Sequence, residues 1–135
     1  MRWIRRAASL SVFLLAACTL AVSASAGREA ARATTVTVTA GKPSTFAFTL
    51  STKSLKTGKV TFKVKNAGTI AHTFKVCSSS KGGTGNSCAG KVTPSIAPGK
   101  SATLTVTFKK AGTYEYLCTI PGHAAAGMKG DLKVS

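Results

Sequence analysis

With 135 residues, 19 Lys and Arg against three Asp and Glu, and a formal net charge of +16, the chain has room for one small domain. That size excludes a multidomain enzyme, and two histidines and three acids are too few for a mechanism that needs several titratable groups. The 44% hydrophobic content is globular and too high for a disordered basic tail, while the charge raises nucleic acid or an acidic membrane surface as partners to be tested.

The chain opens on a targeting segment. Arg2, Arg5 and Arg6 precede an apolar stretch of 16 residues from Ala7 to Val22, which ends in the small-x-small pattern Ala24-Ser25-Ala26. A membrane span needs ~20 residues, so the pattern predicts a secretory signal peptide over residues 1–26. Two other readings stay open. Leu15-Ala16-Ala17-Cys18 resembles the lipobox of bacterial lipoproteins, in which Cys18 would be lipidated, and the segment could also stay as an uncleaved anchor. All three export the domain to the periplasm or another extracytoplasmic space, with membrane contact only through an anchor. Removing residues 1–26 takes away three arginines and no acid, so the charge falls from +16 to +13. Residues 27–33 read as a flexible lead and 34–135 as the folded domain.

From Thr34 onward apolar residues alternate with polar ones at the period of a strand, and no helical period appears. Val36 and Val38 alternate with threonines, and Phe46, Phe48 and Leu50 form a second set. Val60, Phe62 and Val64 face one way, Lys59, Lys63 and Lys65 the other. His72, Phe74 and Val76 alternate with Thr73 and Lys75; Leu104, Val106 and Phe108 alternate with threonines. Tyr114, Tyr116 and Cys118 share a face, and Leu132 and Val134 end the chain. About seven half-apolar segments predict an all-β sandwich of two sheets. The breaks carry turn residues: Gly41-Lys42-Pro43, Asn66-Ala67-Gly68, Ala97-Pro98-Gly99-Lys100 and Ala111-Gly112.

Residues 77–91 form a loop rich in Ser and Gly, bracketed by Cys77 and Cys88. With Cys18 removed, three cysteines remain, so a pair plus one thiol with another task is expected. A Cys77–Cys88 disulfide would close a 12-residue loop, worth about 3 kcal/mol by chain entropy. Two separate thiols or a metal pair are the alternatives. Gly82, Gly83 and Gly85 suggest a phosphate loop only weakly, because no strand-to-helix context surrounds them.

The chemistry concentrates in Cys118-Thr-Ile-Pro-Gly-His123-Ala-Ala-Ala-Gly-Met128, which spaces a thiolate, an imidazole and a thioether five residues apart on one loop. His72 is the only other histidine. Two imidazoles, one thiolate and one weak thioether make the ligand set of a blue-copper site. Structural zinc takes four stronger ligands, and catalytic zinc keeps an open position.

With this loop and Asn66-Ala-Gly-Thr-Ile-Ala-His72-Thr-Phe74, the chain resembles the small type 1 copper proteins of the cupredoxin family, the plastocyanin and azurin group, over residues 34–135. The resemblance implies a Greek-key β-sandwich of about seven to eight strands. It implies one Cu(I)/Cu(II) ion with His72, Cys118 and His123 near one plane, Met128 as weak axial ligand and the Ala71 carbonyl on the opposite side, as in some members. It places His123 near the surface as the electron's exit, within a small apolar rim of Pro121, Gly122, Ala124, Ala125 and Ala126. Two features depart from the pattern. The Cys–His spacing is azurin-like and the His–Met spacing plastocyanin-like, and Thr73 stands where many members carry an Asn that ties the two ligand segments together.

The function implied is one-electron transfer by a monomeric carrier that turns over no substrate. Its partner would be a redox protein, a cytochrome or an oxidase or reductase, acidic if the lysines steer it. The alternative reading is copper storage, delivery or sensing. The lysines are spread along the chain with no cluster of Arg and aromatic residues, so nucleic acid is not expected, and a merely solvated surface weighs as much as steering.

Overall fold

The structure, a computed structural model, describes residues 33–78 and 88–135. The signal-peptide and Cys18 readings, most of the 27–33 lead, and Gly82, Gly83 and Gly85 lie outside the described residues. Nine described strands form two sheets: β1 Thr34–Ala40, β2 Phe48–Leu50, β3 Ser54–Leu55, β4 Gly58–Asn66, β5 Lys75–Cys77, β6 Gly90–Val92, β7 Ser101–Phe108, β8 Gly112–Leu117 and β9 Lys129–Val134. One sheet is ordered β2-β1-β4-β7, the other β3-β9-β8-β5-β6. β1 runs parallel to β4, and β3 to β9; the remaining pairings are antiparallel. The expected all-β sandwich forms. The strands beyond the seven or eight anticipated are two- or three-residue segments, too short to show an alternation.

The period-2 pattern builds the core directly. Val36 and Val38 of β1, Val60, Phe62 and Val64 of β4, and Leu104, Val106 and Phe108 of β7 all point inward. Tyr114, Tyr116, Leu132 and Val134 meet them from the second sheet. Phe74 lies among three aromatic rings, with centroids 5.2 Å from Phe48, 5.4 Å from Phe62 and 5.6 Å from Tyr116. Each such side chain contributes ~1.5–3 kcal/mol by leaving water. The turn at 97–100 also follows its residues: Pro98 precedes Gly99 at φ +74°, and the Lys100 N–H bonds the Ala97 carbonyl at 3.0 Å. Cys77 and Cys88 form the expected disulfide, leaving Cys118 as a free, buried thiol.

Three local expectations fail, each for a physical reason. Phe46 is outside β2 and 37% exposed, because the chain is still turning there. His72 is not in a strand. It makes one isolated bridge to Ile96, and β5 starts only at Lys75. β8 loses its alternation, since Tyr114 through Cys118 are all buried. Leu117 faces away from the main core and packs with Cys77 and Ala124 in a separate cluster, which covers that side of the strand. Glu115 is also buried there, opposite Asp131, and burial pushes its carboxyl pKa up; Lys129 draws it back and Asp131 adds to the rise.

Candidate metal centre

Loops from both sheets converge at one end of the sandwich. Asn66 ends β4 fully buried and fixes the segment that follows. Its side-chain Oδ1 accepts from the Gly68 N–H at 2.9 Å, an Asx turn. Its Nδ2 donates to the carbonyls of Ile70 and Ile96, both at 2.7 Å. The Ile96 carbonyl also accepts from the His72 N–H at 3.1 Å, so Asn66 and His72 are held to one acceptor. Replacing Asn66 by Ala removes three hydrogen bonds made by a fully buried side chain, leaving the Ile96 carbonyl with the His72 N–H alone, and is expected to cost about 2–3 kcal/mol in denaturant unfolding. A loss below about 0.5 kcal/mol would contradict this role.

The loop from Cys118 to Met128 is closed by its own backbone. The Cys118 N–H donates to the Met128 carbonyl at 3.0 Å, and the Met128 N–H to the His123 carbonyl at 3.0 Å. Gly122 and Gly127, at φ +84° and +106°, supply the positive-φ turns between them. The result places Cys118 Sγ 3.4 Å from His123 Nδ1. One ligand atom each from His72, Cys118 and His123 lies within 4.8 Å of the others. Met128 is buried in a cluster with Cys118 and Ala40, against which Phe48 and Ile120 pack.

His72 is 0% exposed, and neither ring nitrogen has a hydrogen-bond partner among the described residues. Burial holds its pKa below the usual 6.5, and the neighbouring His123 lowers it further. A neutral buried imidazole with free nitrogens, beside a buried thiol and a second imidazole, is a donor set awaiting a metal. One soft sulfur with two borderline nitrogens suits copper. The residues therefore fit the ion that the sequence implied.

Cys118 and His72 are buried while His123 is half-buried, so the loop histidine is the ligand nearest to solvent. The rim differs from expectation at one position: Ala124 is fully buried. Pro121, Gly122, Ala125 and Ala126 are exposed. Phe46 joins them, its ring 5.0 Å from the His123 ring in an edge arrangement. Sequence reading missed Phe46 because its alternation assigned it to a strand. It also missed Gly41 and Gly68, which meet over the Nε2 edge of His72; two turn glycines were visible, but not that they face one another. Ala71 precedes His72, half-buried.

The residue after the first histidine replaces the missing Asn with a hydroxyl. The Thr73 N–H donates to Cys118 Sγ at 3.4 Å, and Thr73 Oγ1 lies 3.6 Å from the same sulfur. That oxygen accepts from the Thr119 N–H at 2.8 Å and lies 2.8 Å from Thr119 Oγ1. When the Thr119 hydroxyl donates to it, the Thr73 proton is free for the thiolate. Thr73 thus ties the two ligand segments together by a different group. Thr73→Val keeps the shape and the backbone N–H on the sulfur, and removes only the contacts of the hydroxyl. A donor on the sulfur favours the reduced metal, so the reduction potential is expected to fall by about 40 mV, the equivalent of one ~1 kcal/mol hydrogen bond. An unchanged potential by spectroelectrochemistry would show that the hydroxyl does not reach the sulfur.

Comparison with known proteins agrees with this geometry. A family model described as a cupredoxin-like domain matches residues 11–132. The copper-resistant cuproprotein CopI of Pseudomonas aeruginosa is 59% identical over 39 residues, 29% of this chain and 22% of that protein, so the match spans about a fifth of the relative's length. Among solved structures, dithionite-reduced auracyanin from the photosynthetic bacterium Roseiflexus castenholzii superposes with a TM-score of 0.59 at 26% identity. That match covers 76% of this chain and 98% of auracyanin. Reduced rusticyanin gives 0.53 at 27%, covering 75% of this chain and 78% of its own.

Proposed function

The chain belongs to the cupredoxin-like family as a blue copper protein that takes one copper ion, and from that premise we propose that it is an exported one-electron carrier, with His72, Cys118 and His123 as the strong ligands and Met128 as the weak axial one. The copper supplies the one-electron couple. The chain supplies rigidity: a strand-end Asn fixes His72, and a loop closed by its own hydrogen bonds holds the other three donors. Such a site changes little between oxidation states, which keeps transfer fast. The observation that carries the reading is the burial of Cys118 and His72 with only His123 reaching the surface, inside an apolar rim. That rim permits close docking of a redox protein, and the excess of lysine favours an acidic one. The disulfide supports an oxidising, extracytoplasmic compartment. Among the described residues, no helix is long and apolar enough to cross a membrane.

The second reading, copper storage or delivery, is favoured by one observation: the relative matched at 59% identity is named for copper resistance. A single experiment separates the two. Copper-loaded protein is cycled between ascorbate and ferricyanide with a Cu(I) chelator present. A carrier keeps its copper through repeated cycles and exchanges electrons with a soluble cytochrome at a rate that falls with salt. Transfer of the copper to the chelator on first reduction would overturn the carrier reading in favour of delivery. A salt-independent exchange rate would remove the acidic partner from it.

A further inference from the structure

The outer face of the four-stranded sheet carries a surface that electron transfer does not use. β4 is an inner strand of that sheet, and its outward residues include Lys59, Lys63 and Lys65, all exposed. The register flanks this row with hydroxyls on both sides: Lys63 lies between Thr37 and Thr103, and Lys65 between Thr39 and Ser101. Outward residues two apart on a strand are ~6.6 Å from one another, so the three lysines lie in a line along β4, with Lys63 and Lys65 adjacent and Thr61 between Lys59 and Lys63. Among the described residues no acid sits on this face. The acids among the described residues, Glu115 and Asp131, pair with each other on the opposite sheet.

We propose that this face binds a linear, carboxylate-bearing polysaccharide, laid along β4. Ammonium groups in a row match carboxylates along a chain, and the flanking threonine hydroxyls match sugar hydroxyls. Between these outward residues the apolar side chains of β1, β4 and β7 point into the core, so the face offers no wedge for inserting into a lipid bilayer. A redox protein must reach His123, which sits on the β8–β9 loop at the end of the sandwich and not on this broad face. Binding here holds the protein to an anionic matrix while leaving the copper end open.

The test uses the copper-loaded, disulfide-intact protein and polygalacturonate as probe. Binding is expected at low salt and is lost as salt rises. The triple variant K59Q/K63Q/K65Q is expected to bind on the order of 100-fold more weakly. A control with the same charge loss at other positions, K109Q/K110Q/K133Q, is expected to lose less than about 5-fold. Both variants keep the parent's visible spectrum and hold their copper through ascorbate–ferricyanide cycles, so failure here leaves the carrier reading standing. Equal losses in the two variants would overturn the proposal, reducing the binding to overall charge. So would stronger binding to phosphatidylglycerol vesicles than to the polyuronate, or no binding at low salt.

Discussion

His72→Leu is expected to make the copper-free protein more stable while abolishing its metal site. The side chain is 0% exposed and its two ring nitrogens have no hydrogen-bond partner among the described residues. Each unsatisfied buried polar atom costs about 1–3 kcal/mol. Leucine is apolar and of similar volume, so it removes that cost without opening a large void. A net gain of about 1–3 kcal/mol follows, several degrees in melting temperature for a domain of this size. The copper-loaded comparison must run the other way. Copper stabilises the parent by binding only the folded state and is expected to leave the variant unmoved. The check is a pair of thermal melts, with and without one equivalent of copper. If the copper-free variant melts lower than the copper-free parent, His72 is not held at a cost to folding, and its role as a waiting ligand loses its energetic support.

Gly41→Ala is expected to be about 3 kcal/mol destabilising and to disturb the metal site as well. Two causes add. Gly41 sits at φ +77°, where a Cβ strains the backbone by about 1–2 kcal/mol. That Cβ would also stand 2.6 Å from Gly68 Cα and 3.3 Å from His72 Nε2, so two backbone segments must separate over the imidazole. Gly99 provides the control, with φ +74° and open space around its Cβ position. Gly99→Ala therefore carries the strain alone, about 1 kcal/mol, and leaves the copper spectrum unchanged. Denaturant unfolding of both variants, with spectra of their copper-loaded forms, separates the terms. Equal losses, with both spectra intact, would show that Gly41 matters only as a turn residue.

Much of this architecture is legible from the chain because period-2 alternation and a solvated outer face go together. Val60, Phe62 and Val64 against Lys59, Lys63 and Lys65 left one possible orientation for β4, and the structure has it. The ligand loop is legible for a related reason: Cys118, His123 and Met128 are chemically distinctive and close in sequence. What failed lies where tertiary contact overrides the local pattern. Phe46 alternates with Phe48 yet turns outward onto His123. Ala124 reads as a surface residue beside a surface histidine, but a second apolar cluster on the back of β8 draws it inward. Thr73 reads as an altered or missing tie, because many members of the family carry an Asn there. Its hydroxyl reaches both Cys118 and Thr119, a contact across 45 and 46 residues that no local pattern encodes.

The central claim is that these four side chains hold one copper ion through a thiolate. The visible absorption spectrum of the purified protein with one equivalent of Cu(II) tests it most directly. An intense thiolate-to-copper charge-transfer band, colouring the solution blue and bleaching reversibly on reduction, is the predicted result. A colourless or weakly absorbing Cu(II) complex, with the Cys118 thiol still reduced and reactive after unfolding, would contradict it.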